Sequence, residues 1–510
     1  MAAPAQPHRP GTAATNGVPR PVVAAAPAVQ VSGEEQLTAH FSSRPAPRAW
    51  GWATPGGGRS PNVEGGVVYQ GTSAQVCGLF PFALSSGAAT PGVPIGRHML
   101  TAEPVGLDPA EWLREGLVSN TGVWVQGQPG IGKSTIVKRM LTGLICFGAA
   151  AVIPGDVKGE YSDLVEALGG RVWRIGRGRH TLNPLDAGPL RAAAAQTSGA
   201  DRDRLIETIR ARQLSLLEAL VVIVRRGQIT VTERLILGAA LDLAAAGSSA
   251  EPIIPDVAAQ LADPPPALLR IAATNTAEEF GRELRDLINS LGLLCQGAIR
   301  GMFDRPSSVT ADLTTPAMSL DISALDDDDD EVVAAAMLCS WAWAAAMIDG
   351  AAALGHQRRN VVRVQDELWR ALRVAPGLVE MSDRVTRLNR HRGEISFQVT
   401  HSLDDLEALP TEADRAKARG MASRAGIMVL GGMADKELDG IRRITPMTSQ
   451  ETAMVRSWAA PPTWVAGSAH PGRGKYLLKS GERMGLPVHL SLVAAERDLY
   501  DTDRAWRRAQ

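Results

Sequence analysis

A short, largely apolar run, Val123-Trp124-Val125-Gln126, leads straight into GQPGIGKS, after which apolar residues recur at Ile136, Val137, Met140, Leu141 and Leu144. The first run has the length of a buried strand, and the second has the three-to-four spacing of a one-faced helix. Ala149 to Pro154 repeats the strand pattern and ends in DVKGEY. The helical stretch SDLVEALGG then stops on a glycine pair, and Val172 to Ile175 predicts a third strand. Strand and helix alternate, the pattern of a parallel α/β sheet.

From Leu190 to Phe303 the period changes. RDRLIETIRARQLSLLEALVVIVRR, TVTERLILGAALDLAAA and AEEFGRELRDLINSLGLLCQ carry helical apolar spacing, separated by prolines at 252, 255 and 264–266. This predicts an all-helical subdomain inserted in the α/β core. Alternation then resumes. Strands are expected at Ala317–Ile322, Asn360–Gln365, Ile395–Thr400 and Gly426–Leu430, and a β-hairpin over Tyr476–Val493. The 17 residues Val332–Ile348 are apolar but short of the ~20 that span a bilayer, and they follow the acidic run Asp326–Glu331. They predict a buried crossover helix. The five-aspartate run Asp326–Asp330 is read as a solvated loop favouring that helix N-terminus.

Upstream, residues 1–60 are rich in Pro, Ala, Gly and Ser without a period, which predicts a disordered tail. Strand-like stretches begin near Asn62, and the segment around Pro91–Gly96 is turn-rich, so an irregular lead-in is expected there. The boundaries are a tail over 1–60, the first part of a P-loop α/β core over 61–189, the helical subdomain over 190–305, and the second part of the core over 306–510.

Length and charge narrow the partners. A chain of 510 residues exceeds one small core. The 53 basic and 54 acidic residues exclude a wholly basic nucleic-acid coat, though not a local basic lining. The cysteines Cys77, Cys146, Cys295 and Cys339 lie far apart with no Cys-x-x-Cys, which argues against a zinc site or disulfide framework and for a reducing, cytoplasmic setting. The N-terminus lacks the apolar core of a signal peptide.

The chemistry starts at Gly127-x-x-x-x-Gly132-Lys133-Ser134. Glycines let backbone N–H groups converge on phosphate oxygens, and the following helix adds its positive end. Residues Gly127, Gln128, Pro129, Gly130, Ile131, Gly132, Lys133, Ser134 and Thr135 form the expected ATP cradle. Within it, Lys133 reaches the terminal phosphates and the Ser134 hydroxyl ligates Mg²⁺. A hydrolase also needs acid on the strand neighbouring the P-loop strand, and in VVRVQDELW, the best candidate for it, Asp366 is the expected second Mg²⁺ ligand and Glu367 the residue that polarises the attacking water, against the plainer reading of an acidic helix start. Asp156, Lys158 and Glu160 of DVKGEY can approach the nucleotide if their strand lies beside the P-loop strand, or else form a polar turn. Thr400-His401 ends a strand and offers a γ-phosphate sensor or an ordinary loop histidine. Arg384, Arg387, Arg390 and Arg392 are either a solvated face or the source of an arginine finger.

The order of GTSAQVCGLFPF, GQPGIGKST, GDVKGEYSDLVEALGG with LNPLD, GMFDRP, SLDISAL, QDELWRAL, RHRGEISFQVTHSLDDL and GRGKYLLKSGERMGLPVHL resembles the TraC-like ATPases of conjugative transfer and type IV secretion. These belong to the HerA/FtsK superfamily of ring ATPases, and the resemblance spans Gln70–Trp506. It implies a RecA-like P-loop NTPase core, ATP and Mg²⁺ as cofactors, self-association into a ring, membrane-embedded channel proteins as partners and a place at the inner face of the cell membrane. Arg390 matches a basic position before the family's sensor strand. His401 stands where the family has Gln, and Gln365 where it has an apolar residue. The alternatives from other classes are a DNA-translocating motor and a nucleotide-regulated scaffold with little turnover.

Overall fold

In a computed structural model, the described residues are 90–500, apart from 248–249, 311–313, 326, 356–359, 377, 381–392 and 462–469. The tail, the strand-like stretches after Asn62, Asp326, Arg390 and the other three arginines of its cluster lie outside them.

Eleven strands form one sheet: β1 Val93–His98, β2 Pro104–Leu107, β3 Gly122–Gln126, β4 Ala150–Asp156, β5 Arg171–Arg174, β6 Ala317–Asp321, β7 Val361–Gln365, β8 Glu394–Thr400, β9 Ile427–Leu430, β10 Lys475–Lys479 and β11 Leu486–Leu490. Their order is β2-β1-β11-β10-β9-β3-β8-β7-β4-β6-β5. The run from β9 to β5 is parallel, and β10, β11, β1 and β2 extend it antiparallel. Parallel strands need covering on both faces, which is why β3, β4 and β9 read as nearly unbroken apolar runs. Side chains of β3 alternate accordingly. Val123 and Val125 join the core under the P-loop helix Lys133–Cys146, and Trp124 joins the core on the opposite face.

That opposite face is covered by helix Asp330–Ala353, the crossover from β6 to β7, which is buried almost throughout. It is longer than the apolar run at both ends: Asp330 and Glu331 fill its first turn, where carboxylates suit the helix dipole, and it continues through Asp349-Gly350 to Ala353. Between β5 and β6 lie helices Pro189–Gln196, Ala200–Arg225, Val231–Ala246, Ile254–Ala262, Pro266–Ile271, Ala277–Glu283 and Arg285–Gln296. The apolar stripes of the last six share one continuous core with the Asp330–Ala353 helix, while Leu190 and Ala194 of the first pack with Ile209 and Ala346 in a small separate cluster.

Three expectations need correction. The lead-in expected to be irregular around Pro91–Gly96 contains β1, paired on both sides. Gly96 looks like a turn residue, but it is needed for close approach: a Cβ there would sit 2.0 Å from the His489 carbonyl oxygen. Pro94 is accommodated at a register shift between β1 and β2. Secondly, the acidic strand β7 is not the direct neighbour of the P-loop strand, because β8 lies between them. Thirdly, β4, which ends in DVKGEY, is separated from β3 by both β8 and β7. Crossover connections let sequential strands skip positions, so chain order does not dictate sheet order.

Arg363 on β7 and Glu394 on β8 form an ion pair with both side chains buried. Two desolvated charges add little net stability, but removing one strands the other. Glu394→Ala should therefore cost about 3–5 kcal/mol, read as a lower denaturant midpoint, and the double change Arg363→Met with Glu394→Leu should recover most of it.

Candidate active site

The P-loop leaves β3 at Gln126 and enters its helix at Lys133. Gly132 precedes that helix at φ +98°, in the left-handed region, and a Cβ there would lie 2.9 Å from the Tyr476 hydroxyl. Any other residue would be strained and crowded at this turn. The Tyr476 hydroxyl donates to the Gly132 carbonyl at 2.6 Å, and Gly474 N–H donates to the Ile131 carbonyl at 3.0 Å. The C-terminal hairpin β10–β11 thus buttresses the loop from behind. On the other flank, Gln128 N–H donates to the Gly432 carbonyl at 3.0 Å.

The Lys133 ammonium is nearly buried and donates to the carbonyls of Gly127 at 2.9 Å and Gln128 at 3.3 Å. Its third contact is His401 Nδ1 at 2.7 Å, and His401 Nε2 lies 2.7 Å from Glu367 Oε1. An ammonium can only donate, so Nδ1 accepts and Nε2–H donates to the carboxylate. His401, at the end of the intervening strand β8, bridges the P-loop lysine to the acid after β7. Burial lowers the Lys133 pKa to about 8, partly offset by Asp366 and Glu367.

Glu367 sits at φ +51°, an unfavourable conformation for a residue with a Cβ, at a cost of about 1–3 kcal/mol. This turn sends its carboxylate back toward the loop, where Lys158 pairs with Oε1 and the Trp369 indole donates to Oε2 at 2.7 Å. Burial alone would raise its pKa. The hydrogen bonds from His401 and Lys158, together with the Lys158 charge, outweigh burial and hold it at about 2. Asp366 behaves oppositely: burial, then the Glu367 and Glu160 carboxylates, push it up to about 6, although Tyr161 donates to it at 2.9 Å.

The DVKGEY turn divides its roles. Asp156 accepts from the N–H groups of Glu160 at 3.1 Å and Tyr161 at 2.8 Å, and burial raises its pKa to about 7. Lys158 and Tyr161 instead reach across to Glu367 and Asp366. Motif reading assigned Tyr161 no part, although it sits in the same DVKGEY segment. Glu437, also absent from the motifs, accepts from Gln126 Nε2 at 2.9 Å and from Leu403 N–H at 2.8 Å, tying the end of β3 to the turn after His401.

Among the described residues, no group of three His, Cys, Asp or Glu side chains is placed to hold a metal. Mg²⁺ in nucleotide sites takes only one or two protein ligands, the remainder being water and phosphate oxygens. The hydroxyl of Ser134 and the carboxylate of Asp366 are hard oxygen donors of the right kind. A buried carboxylate whose pKa is raised by neighbouring acids is one that a divalent cation would stabilise.

Residues 93–340 match the family model described as the central domain of the helicase HerA. The fold matches VirB4 of Thermoanaerobacter pseudethanolicus with a TM-score of 0.61 at 18% identity, covering 81% of this chain and 99% of that one. The plasmid coupling protein TrwB in complex with ADP and Mg²⁺ aligns at a TM-score of 0.48 and 12% identity, covering 78% of this chain and 90% of that one. No curated protein matches the chain. The resemblance to the HerA/FtsK superfamily and the RecA-like α/β fold expected from the motifs are both borne out.

Proposed function

We propose that this chain, with its HerA central domain over residues 93–340, hydrolyses ATP with Mg²⁺ and couples hydrolysis to macromolecular transfer through a conjugation or type IV secretion apparatus. The observation that carries the reading is the contact chain Lys133–His401–Glu367, which gathers the ends of β3, β8 and β7 around one point. Residues 127–135 wrap the phosphates, the N–H groups of Gly130 to Thr135 donating to them, with Lys133 on the terminal pair. Ser134 and Asp366 hold Mg²⁺, which when bound neutralises charge developing on the phosphoryl oxygens. Glu367 orients the attacking water, and His401 senses the γ-phosphate through its link to Lys133. Cytoplasmic action at the inner membrane face, with channel proteins as partners, follows from the resemblance.

The same reading makes the working form a ring in which Arg390 of one subunit reaches its neighbour's site. Phosphate release by the purified chain, with and without DNA, tests the activity. Nucleotide binding without phosphate release would overturn it, and strong stimulation by DNA would favour a translocating motor. In mixtures of wild-type and Lys133→Ala subunits shown to co-assemble, turnover should fall faster than the wild-type fraction. A linear fall would mean that each site works alone.

A further inference from the structure

Glu437 lies on the helix Asp435–Ile444, which follows β9. Its carboxylate takes three donors. Oε2 accepts from Gln126 Nε2 at 2.9 Å and from Leu403 N–H at 2.8 Å, and Oε1 accepts from the Ser402 hydroxyl. Strand β3 lies between β9 and β8. A side chain arriving from one neighbour of β3 therefore holds the end of β3 and grips the turn that leaves the other neighbour.

Each of these partners sits next to a residue of the chemistry. Gln126 immediately precedes Gly127, whose carbonyl accepts from the Lys133 ammonium at 2.9 Å. The Trp124 indole donates to Gln126 Oε1 at 3.0 Å, which fixes the amide and leaves Nε2 for Glu437. Ser402 and Leu403 immediately follow His401, whose two ring nitrogens each lie 2.7 Å from a partner, Lys133 on one side and Glu367 on the other. The same turn is held again where Thr400 Oγ1 donates to the Ser402 carbonyl at 3.2 Å. The helix is seated closely on it: a Cβ at Gly440 would lie 2.7 Å from Leu403 Cδ1. A plainer role for Glu437, as an acid suiting a helix N-terminus, is already filled by Asp435 in the same turn and needs none of these contacts.

We propose that Glu437 is a positioning residue for His401. It ties the turn after β8 to the end of β3, so that one imidazole stays in reach of both the P-loop lysine and the acid after β7. The proposal rests on the ATPase reading above and adds to it a residue that touches neither nucleotide nor reacting atoms. What the role needs is acceptor oxygen at the right place rather than negative charge. In Glu437→Gln the amide oxygen can accept from Gln126 and Leu403, and the amide N–H can donate to the Ser402 hydroxyl, which serves as donor or acceptor. Glu437→Ala can do neither, although alanine suits a helix best of all residues.

Single-turnover phosphate release and calorimetry with a non-hydrolysable ATP analogue, both on the full chain with Mg²⁺, test it. Glu437→Ala should slow release about tenfold or more and change affinity for the analogue less than about threefold, because the loop's own N–H groups are untouched. Glu437→Gln should restore release to within about threefold of wild type. In a His401→Ala background, itself slower than wild type, Glu437→Ala should slow release less than about twofold further, since residues acting through one ring do not add. Ser402→Ala removes one contact and leaves the helix intact, so it carries the test if Glu437→Ala fails to fold. It should slow release about threefold and be silent without His401. Glu437→Gln as slow as Glu437→Ala would overturn the proposal, because charge and not the contacts would then be at work. Losses that multiply in the double variants, or Glu437→Ala as fast as wild type, would overturn the positioning role alone. Wild-type protein that releases no phosphate, or His401→Ala as fast as wild type, would instead sink the reading of the site and this role with it.

Discussion

Lys133→Ala should abolish measurable ATP binding and turnover while leaving the protein folded. Lys133 is nearly buried, and its ammonium contacts the Gly127 and Gln128 carbonyls and His401. Removing one partner of a buried, hydrogen-bonded charge pair costs about 2–5 kcal/mol, roughly 30- to 5000-fold in affinity. Stability should not fall with it. The lysine pKa drops from 10.5 to about 8 on folding because burial disfavours the charged form. The unfolded chain therefore binds the proton more tightly, and the penalty is fully present below pH 8 and gone above 10.5. Alanine carries no such penalty, so the variant's melting temperature at pH 7 should equal or exceed that of the wild type. Calorimetric titration with ATP and a thermal melt check both halves. Retained affinity in a folded variant would remove Lys133 from the phosphate site.

The sequence exposes some parts of this arrangement and hides others for physical reasons. Parallel strands are covered on both faces, so runs such as Val123–Gln126 and Asn360–Gln365 stand out, and the strands observed are Gly122–Gln126 and Val361–Gln365. Strand β1 stays hidden because Pro94 and Gly96 imitate a turn, whereas the glycine answers to the nearby His489 carbonyl. Strand order is invisible to periodicity, since crossovers permute it. The glycines and Lys133 of the loop are local in sequence and carry their chemistry openly. The contacts that tune the acids are not local. Lys158 reaches Glu367 across 209 positions and Tyr161 reaches Asp366 across 205. Such pairs emerge only when β4 and β7 become neighbours.

Glu367→Gln should leave ATP bound and lower turnover by ~10²- to 10⁴-fold, the usual worth of a positioned acid–base group. Glutamine fits the same turn at φ +51° and can still accept from Trp369. What it loses is the charge that Lys158 and His401 now share. Those two partners also shape the wild-type chemistry. They hold the Glu367 pKa near 2, against the effect of burial, so the carboxylate is fully ionised at neutral pH but is a poor proton acceptor while so paired. A nucleotide that draws Lys133 onto its phosphates removes one anchor of His401, and His401 is then free to loosen its hold on Glu367. On the proposed reading, the acid would become a better base once the γ-phosphate is in place, which would tie hydrolysis to occupancy. The paired state also leaves a mark on stability. A pKa depressed on folding contributes stability that is present above the unfolded value of 4.5 and lost as pH falls through about 2. Wild-type protein should lose that increment between pH 4.5 and 2, and Glu367→Gln should not. Single-turnover phosphate release and acid unfolding of both proteins measure the two effects. If release were unchanged, another carboxylate would have to orient the water. Glu160, whose Oε2 is buried without a hydrogen-bond partner among the described residues, is the nearest replacement, because its charge already reaches Lys133 and Asp366.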